Sequence, residues 1–557
     1  MSASQKKKLR NEQNAVQLTE KQVAEQKEAK KLRLYTAIFT IAIVLMLCVV
    51  LVTTVIESGL IQRNTTAATV SDSKISAPEL NYYYVDSVTQ FQREWGDAFM
   101  FSGLALDTPF NEQVRVEETG ETWADYFMDR AAETMRYTYA LYTAAKADGY
   151  VLSEEDTTVL DNMMQRVELD AMMTTGARDL KTYLKAAYGA GANEDSYREY
   201  LTVQFLASKY AMDHADSLTY SAEQIREKDA ADPSEYNSYS YNQYYLSTTP
   251  FLQGGTKDDE GIVTYSPEEK AAAAEAAKAA MDGLVETLRG SESAVPTTAE
   301  DLDAAIAGIA GILFDGEPET AKSTPSKDLF KNQIPSVLTE WVISADRKAG
   351  DLTVIPNEST VTDAEGNSTT TAVGYYVVLF NGVNDNTNKI SNVRHILVKY
   401  EGGMQDANGV TTYSAEEKEA AGAEAAGILA QFQAGETTEE AFAALATEKS
   451  DDTGSAANGG LIEDILPSSP YVENFLNWAV DPARVAGETG IIETEYGYHV
   501  MYYVGDSELN YRDTMIRNVL VNEAMTEWEN SMVEPVTLEI TNPKHVPMDM
   551  VLYSRAQ

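Results

Sequence analysis

His395 and His499 stand 104 residues apart, each inside a run of strand-forming residues. The runs are Val393-Arg394-His395-Ile396-Leu397-Val398 and Tyr498-His499-Val500-Met501-Tyr502-Tyr503-Val504. The chain has only four histidines in 557 residues. The runs read as the first and last strands of one domain. As neighbours in a sheet they carry both imidazoles to one pocket. A lone His in a strand is more often a satisfied core residue, so the pair carries the weight. Two imidazoles with Asp452 lack the sequence-local ligand spacing of a metal site. Neither a Gly-x-Ser-x-Gly elbow, a phosphate loop nor a zinc signature occurs. The chemistry left open is hydrogen bonding around a shaped apolar pocket, with no metal or cofactor expected.

The residues between the histidines carry further signals. Asp452 lies in Lys449-Ser450-Asp451-Asp452-Thr453-Gly454, which taken alone reads as a turn. Asn458-Gly459-Gly460-Leu461 is a second turn, and Tyr471, Phe475 and Thr494 follow. Taken together, residues 390–505 resemble the parvulin family of peptidyl-prolyl cis-trans isomerases. The resemblance implies that His395 and His499 are the family's first- and last-strand histidines, and that Asp452 is its pocket carboxylate. It places Thr494 beside the second histidine and gives Leu461, Tyr471 and Phe475 to the proline-binding wall. Without the resemblance Phe475 and Leu461 read as plain core.

An X-Pro bond turns over in tens to hundreds of seconds because rotation destroys amide resonance. The twisted amide is less polar than the planar one, so a dry apolar pocket favours it. The sequence departs from the family at Gly459-Gly460-Leu461-Ile462-Glu463, which leaves Leu461 and Ile462 as alternatives for the wall. Tyr471 stands where the family has methionine.

Half of this pattern occurs twice. Tyr265-Ser-Pro-Glu-Glu-Lys270 recurs as Tyr413-Ser-Ala-Glu-Glu-Lys418, each before an Ala-rich helix with a capping-box start. Leu338-Thr-Glu-Trp341 recurs as Phe475-Leu-Asn-Trp478, and Gly374-Tyr-Tyr-Val377 as Gly497-Tyr-His-Val500. The first copy is expected to keep the fold without the activity, with Tyr244 aligned to His395, Tyr376 to His499 and Leu338 to Phe475. Its insertions are expected in the loops around 253–264 and 357–372. Its Tyr-rich first strand, Tyr236 to Tyr245, is open to two readings, ordinary packing or aromatic contact with unfolded peptide.

The remaining segments set the class. Leu34–Ile56 is uncharged and long enough to cross about 30 Å of hydrocarbon. Nine Lys or Arg against four Glu precede it, which orients residues 1–33 to the cytoplasm. A cleaved signal peptide is the alternative, but the run is too long and Val55-Ile56-Glu57-Ser58-Gly59 is a poor cleavage site. The lone Cys48 sits mid-span, so no disulfide can form within the chain.

With −44 for the whole chain, the part beyond residue 33 stands at −49, which excludes nucleic acid as a partner. The fold class read here is α+β. Residues 57–75 form a stalk, 76–235 a mainly helical module, 236–387 a degenerate parvulin-like domain and 388–506 a parvulin domain. Residues 507–557 add a helix from Tyr511 and an extended tail, with packing back on the helical module left open. As a whole the chain resembles extracytoplasmic foldases of the PrsA and SurA type. That implies a membrane-anchored isomerase and chaperone whose partners are newly exported polypeptides containing X-Pro bonds. The alternative is a non-catalytic chaperone or envelope assembly scaffold with an idle parvulin fold.

Overall fold

Uncharged residues from Tyr35 to Ile56 continue one long helix, Glu20–Glu57, because nothing in that stretch breaks it. The 22-residue span Tyr35–Ile56 has a mean hydropathy of 2.9 and is long enough to cross a membrane. The computed structural model describes all residues except 1, 14–19, 97–100, 176, 259, 290–296, 314–320, 363–365, 406–408, 410 and 551–557. Parts of the basic tail, of the loops 253–264 and 357–372 and of the C-terminal tail therefore lie outside the described residues. The chain divides into two units, Met1–Thr219 with Glu523–Gln557, and Tyr220–Asn522.

In the first unit, helices Ala77–Trp95, Trp123–Ala147 and Glu194–Ser217 bury one aromatic core. Ser76 caps the first helix and Thr122 closes a capping box on the second. Tyr82 packs on Tyr188, Tyr197 and Tyr200 with centroids 4.9–5.2 Å apart. In place of the stalk expected at 57–75 stand a short helix, Leu60–Arg63, and two strands, Thr66–Val70 and Ser73–Ser76. Thr66–Val70 lies at the centre of a three-stranded sheet, between Ser73–Ser76 and Leu538–Ile540. Ala67 and Ala68 are wholly buried there, which small side chains allow between a sheet and a helix.

Glu79, on the first helix, accepts a hydrogen bond from the Tyr139 hydroxyl. Burial pushes its carboxyl up to about 7, with Glu199 adding to the rise and the Tyr139 bond opposing it. The folded state therefore favours the proton, so this contribution is full below the unfolded value near 4.5 and is lost as pH rises through 7. Glu79→Gln is expected to stabilise this unit by roughly 3 kcal/mol at pH 8 and little at pH 4. Hydrogen exchange across residues 77–95 reads the change.

The second unit begins earlier than the sequence boundary at 235. Helix Ala222–Ala231 belongs to it, because Ile225 and Tyr236 pack on Ile516. Arg512 fastens the same corner. Its guanidinium, 9% exposed, pairs with Asp229 at 2.6 Å and donates to the carbonyls of Pro233 and Asp385.

Two lobes follow with the same order of elements. In the first lobe the strands are β1 (Ser238–Ser247), β2 (Thr324–Phe330), β3 (Leu352–Thr362) and β4 (Ser368–Asn384). In the second they are β5 (Ser391–Lys399), β6 (Leu461–Ile465), β7 (Thr489–Thr494) and β8 (Gly497–Asp506). Each sheet is antiparallel, ordered β2-β1-β4-β3 and β6-β5-β8-β7. The helices are α1 (Pro267–Arg289), α2 (Ala299–Leu313) and α3 (Ser336–Val342), then α4 (Ala415–Ala434), α5 (Glu439–Lys449) and α6 (Glu473–Ala479). Even the helix starts repeat. Glu269 and Glu417 each accept from the N–H of a left-handed glycine, Gly255 and Gly403, at 2.9 Å.

Register corrects two alignments. Val378 of β4 faces Gln243, as Met501 of β8 faces His395. Gln243, and not Tyr244, therefore holds the His395 position. Tyr244 belongs to the other face and packs with the α1 core. The hairpins Gly254–Tyr265 and Gly402–Tyr413 are equal in length, so the first insertion is not at 253–264. A larger one is at 358–373, where sixteen residues replace Glu495-Tyr496.

Candidate active site

His395 and Met501 face each other across β5 and β8, and His499 lies two residues before Met501. Period-two geometry then puts both imidazoles on one face of the sheet. The rings lie nearly parallel, 20° between planes, with Nδ1 to Nδ1 at 3.0 Å. Each residue is 5% exposed.

The pair is one stretch of a longer chain of hydrogen bonds. His395 Nε2 is 3.0 Å from Asp452 Oδ2, and His499 Nε2 is 3.0 Å from Thr494 Oγ1. Ser455 Oγ donates to Asp452 Oδ2 at 2.6 Å and lies 3.0 Å from His395 Nε2. Burial raises the Asp452 carboxyl, but the Ser455 hydroxyl, the Gly454 N–H and His395 together hold it below the usual range. The carboxylate is therefore ionised at neutral pH, and this sets the proton order. His395 donates from Nε2 to Asp452, which leaves its Nδ1 as acceptor. His499 donates from Nδ1, so its Nε2 accepts from Thr494.

Burial lowers the His395 pKa, with Asp452 opposing. Burial and the neighbouring His395 push His499 down to about 4. Both rings are neutral at pH 7, which suits a pocket that must stay apolar.

Asp452 is held by the loop before it. Leu397 N–H donates to Ser450 Oγ at 3.1 Å, Asp451 N–H to the Leu397 carbonyl at 2.8 Å, and Lys399 N–H to Asp451 Oδ2 at 2.9 Å. Further along the same edge of β5, Gly460 returns to the sheet, its carbonyl accepting from His395 N–H at 2.9 Å. Gly460 has φ +69°, and a Cβ there would meet the His395 carbonyl at 2.1 Å. Gly460→Ala is expected to cost at least about 2 kcal/mol, from left-handed strain together with the clash. Urea unfolding read by hydrogen exchange in β5 checks it. Arg394 clasps the same turn, donating to the carbonyls of Asn458 and Gly459 and pairing with Glu439 at 2.9 Å.

Phe475, on α6, closes the wall. Its ring meets His395 at 5.4 Å and His499 at 5.5 Å, both edge-on, and Tyr471 at 5.3 Å. Tyr471 is 39% exposed, at the rim. The structure does not place Leu461 with them. Leu461 faces Arg394 in register, on the opposite face, whereas Ile462 faces Val393 and packs in the Phe475 cluster. Ile462 is thus on the histidine face of β6, as is Ile465 further along. Sequence reasoning also missed Ser455, whose only signal was its place three residues after Asp452.

Residues 395–505 match the family described as Rotamase, PPIC-type PPIASE domain. The chain therefore carries a parvulin-type peptidyl-prolyl isomerase domain. Among solved structures, it is similar to the peptidylprolyl isomerase PrsA from Bacillus anthracis, at 20% identity over 27% of this chain and 59% of that one, TM-score 0.16. It is also similar to the PPIase domain of TbPar42, at 26% identity over 21% of this chain and 99% of that one, TM-score 0.17. A third is among the SurA-like chaperones PEB4 and Cj1289 of Campylobacter jejuni, at 22% identity over 27% and 53%, TM-score 0.16. The chain spans less than two thirds of the PrsA structure. No curated protein matches it.

Proposed function

We propose that this chain is a membrane-anchored foldase that isomerises X-Pro bonds in newly exported polypeptides and holds them while they fold. The observation that carries the catalytic part is the continuous chain Asp452–His395–His499–Thr494 on one face, with Phe475 and Ile462 beside it. In this reading Phe475 and Ile462 take the proline ring, with Tyr471 at the rim. The neutral imidazoles form a rigid floor that holds its protons in fixed places. Rotation breaks no covalent bond, so the site lowers the barrier by accepting the less polar twisted amide better than the planar one.

The first lobe has Gln243, Tyr376 and Leu338 at the corresponding positions, and is assigned no catalysis. The helical unit is assigned to unfolded chain. The basic residues before Tyr35 keep the N-terminus in the cytoplasm, with the bulk of the chain outside.

The test is proline-limited refolding of a model protein by the full chain in detergent micelles. The parent is expected to accelerate the slow phase, and His395→Ala and His499→Ala each to lose at least tenfold of that acceleration. A folded parent that suppresses aggregation without accelerating the slow phase would leave a holding chaperone in its place.

A further inference from the structure

The sixteen residues that replace a two-residue turn in the first lobe extend β3 and β4 into a two-stranded ribbon. It is paired from Glu358 with Ala372 to Thr362 with Ser368. The β1 neighbour of β4 ends at its base, where Thr248 N–H donates to the Val373 carbonyl at 3.0 Å. Beyond that point β3 and β4 have only each other, and among the described residues no third strand pairs with either. The ribbon thus has two open edges.

Proteins usually blunt such edges with Lys, Pro, a bulge or a covering loop. A bulge between Ala372 and Gly374 and the charge of Glu358 are confined to the base, and beyond them Ser359–Thr362 and Ser368–Thr371 contain no charge and no proline, only Ser, Thr and Val. Val361 is 66% exposed. Hydroxyl pairs Thr360 with Thr370 and Thr362 with Ser368, each at 2.8 Å, keep the ribbon in register.

We infer that this ribbon captures unfolded polypeptide by strand addition, its open edge pairing with an extended stretch of about five residues, some 17 Å long. The inference rests on the chaperone reading above and names the surface that serves it. Main-chain hydrogen bonds supply the binding, and small neutral side chains leave client sequence unread. The charge of the chain selects the occupant. At −44 per copy, two molecules repel each other, whereas an extended neutral or basic client approaches an uncharged strip without that opposition. Residues next to proline already favour extended backbone, so the segments that need the second lobe are those that fit the edge.

The experiment uses the full chain in detergent micelles and a variant in which 358–373 is replaced by the Glu-Tyr turn of the second lobe. The probes are reduced, carboxamidomethylated lysozyme, which is unfolded and basic, and a Thr/Val-rich heptapeptide with and without alternate N-methyl amides. The shortened variant is expected to bind the unfolded probe at least fivefold more weakly while isomerising a proline tetrapeptide at the parent rate. The plain heptapeptide is expected to compete for the parent, and its N-methylated form to fail. Equal capture by parent and variant, or equal competition by both heptapeptides, would overturn the inference. So would a client-free parent that sediments as a dimer through the ribbon. A parent that captures the probe without isomerising the tetrapeptide would instead remove the catalytic reading and leave the ribbon standing.

Discussion

Phe475→Ala is expected to remove at least nine-tenths of the proposed isomerase rate and about 3–5 kcal/mol of stability in the second lobe. The ring is 3% exposed and packs with Val393, Ile465, Trp478 and Met501, so truncation leaves a cavity in a closed cluster. It also touches both imidazoles, so its loss admits water to the pocket floor. Phe475→Leu separates the two effects. It copies Leu338 of the first lobe, keeps most of the volume and is expected to cost under about 1.5 kcal/mol. Activity should still fall, because leucine offers no flat face to a proline ring. Urea unfolding and proline-limited refolding, measured side by side, distinguish a collapsed lobe from a folded one with a poor wall.

Acid is expected to destabilise the second lobe from pH 6.5 downward, starting before its carboxylates titrate. His499 takes a proton near 6.5 when unfolded and near 4 when folded. Between those values the unfolded chain binds more protons, so stability rises with pH across that window. The contribution is complete above pH 6.5 and is lost as pH falls through 4, by roughly 3 kcal/mol. His395 is shifted the same way and Asp452 is lowered too, so both add to the same slope, Asp452 at lower pH. Hydrogen exchange of β5 and β8 at pH 7, 5.5 and 4.5 reads it directly. His499→Gln should flatten the dependence, and a parent equally stable at pH 7 and 4.5 would show that the rings are not held neutral.

The long apolar helix and the duplicated Tyr-Ser-x-Glu-Glu-Lys starts were legible because each depends on local residues alone. The meeting of His395 with His499 was legible because two strand-like runs each carried one rare residue. Faces were harder. A one-residue shift turns a strand over, and neither Gln243-Tyr244 nor Leu461-Ile462 shows in the sequence which of the two faces the site. Hence Tyr244 was aligned where Gln243 stands, and Leu461 and Ile462 stood as alternatives until the register placed Ile462 on the histidine face. Ser455 was invisible because a serine after Asp-Asp-Thr-Gly resembles any turn residue until its hydroxyl is seen between Asp452 and His395. The strand Thr66–Val70 was read as a stalk because its Thr/Ala composition resembles a linker and one of its two partners lies some 470 residues away.

That distant partner has a consequence for biosynthesis. Thr66–Val70 pairs with Leu538–Ile540, the Asn81 amide donates to the His545 carbonyl, and Phe110 N–H donates to the Met550 carbonyl. The helical unit therefore waits for residues 538–550, while everything from Tyr220 to Asn522 has already emerged. The two lobes have time to mature first, and the helical unit closes only once that later segment has followed. A polypeptide terminated near residue 530 would keep both lobes but leave Thr66–Val70 as a raw margin of its small sheet for proteases to find.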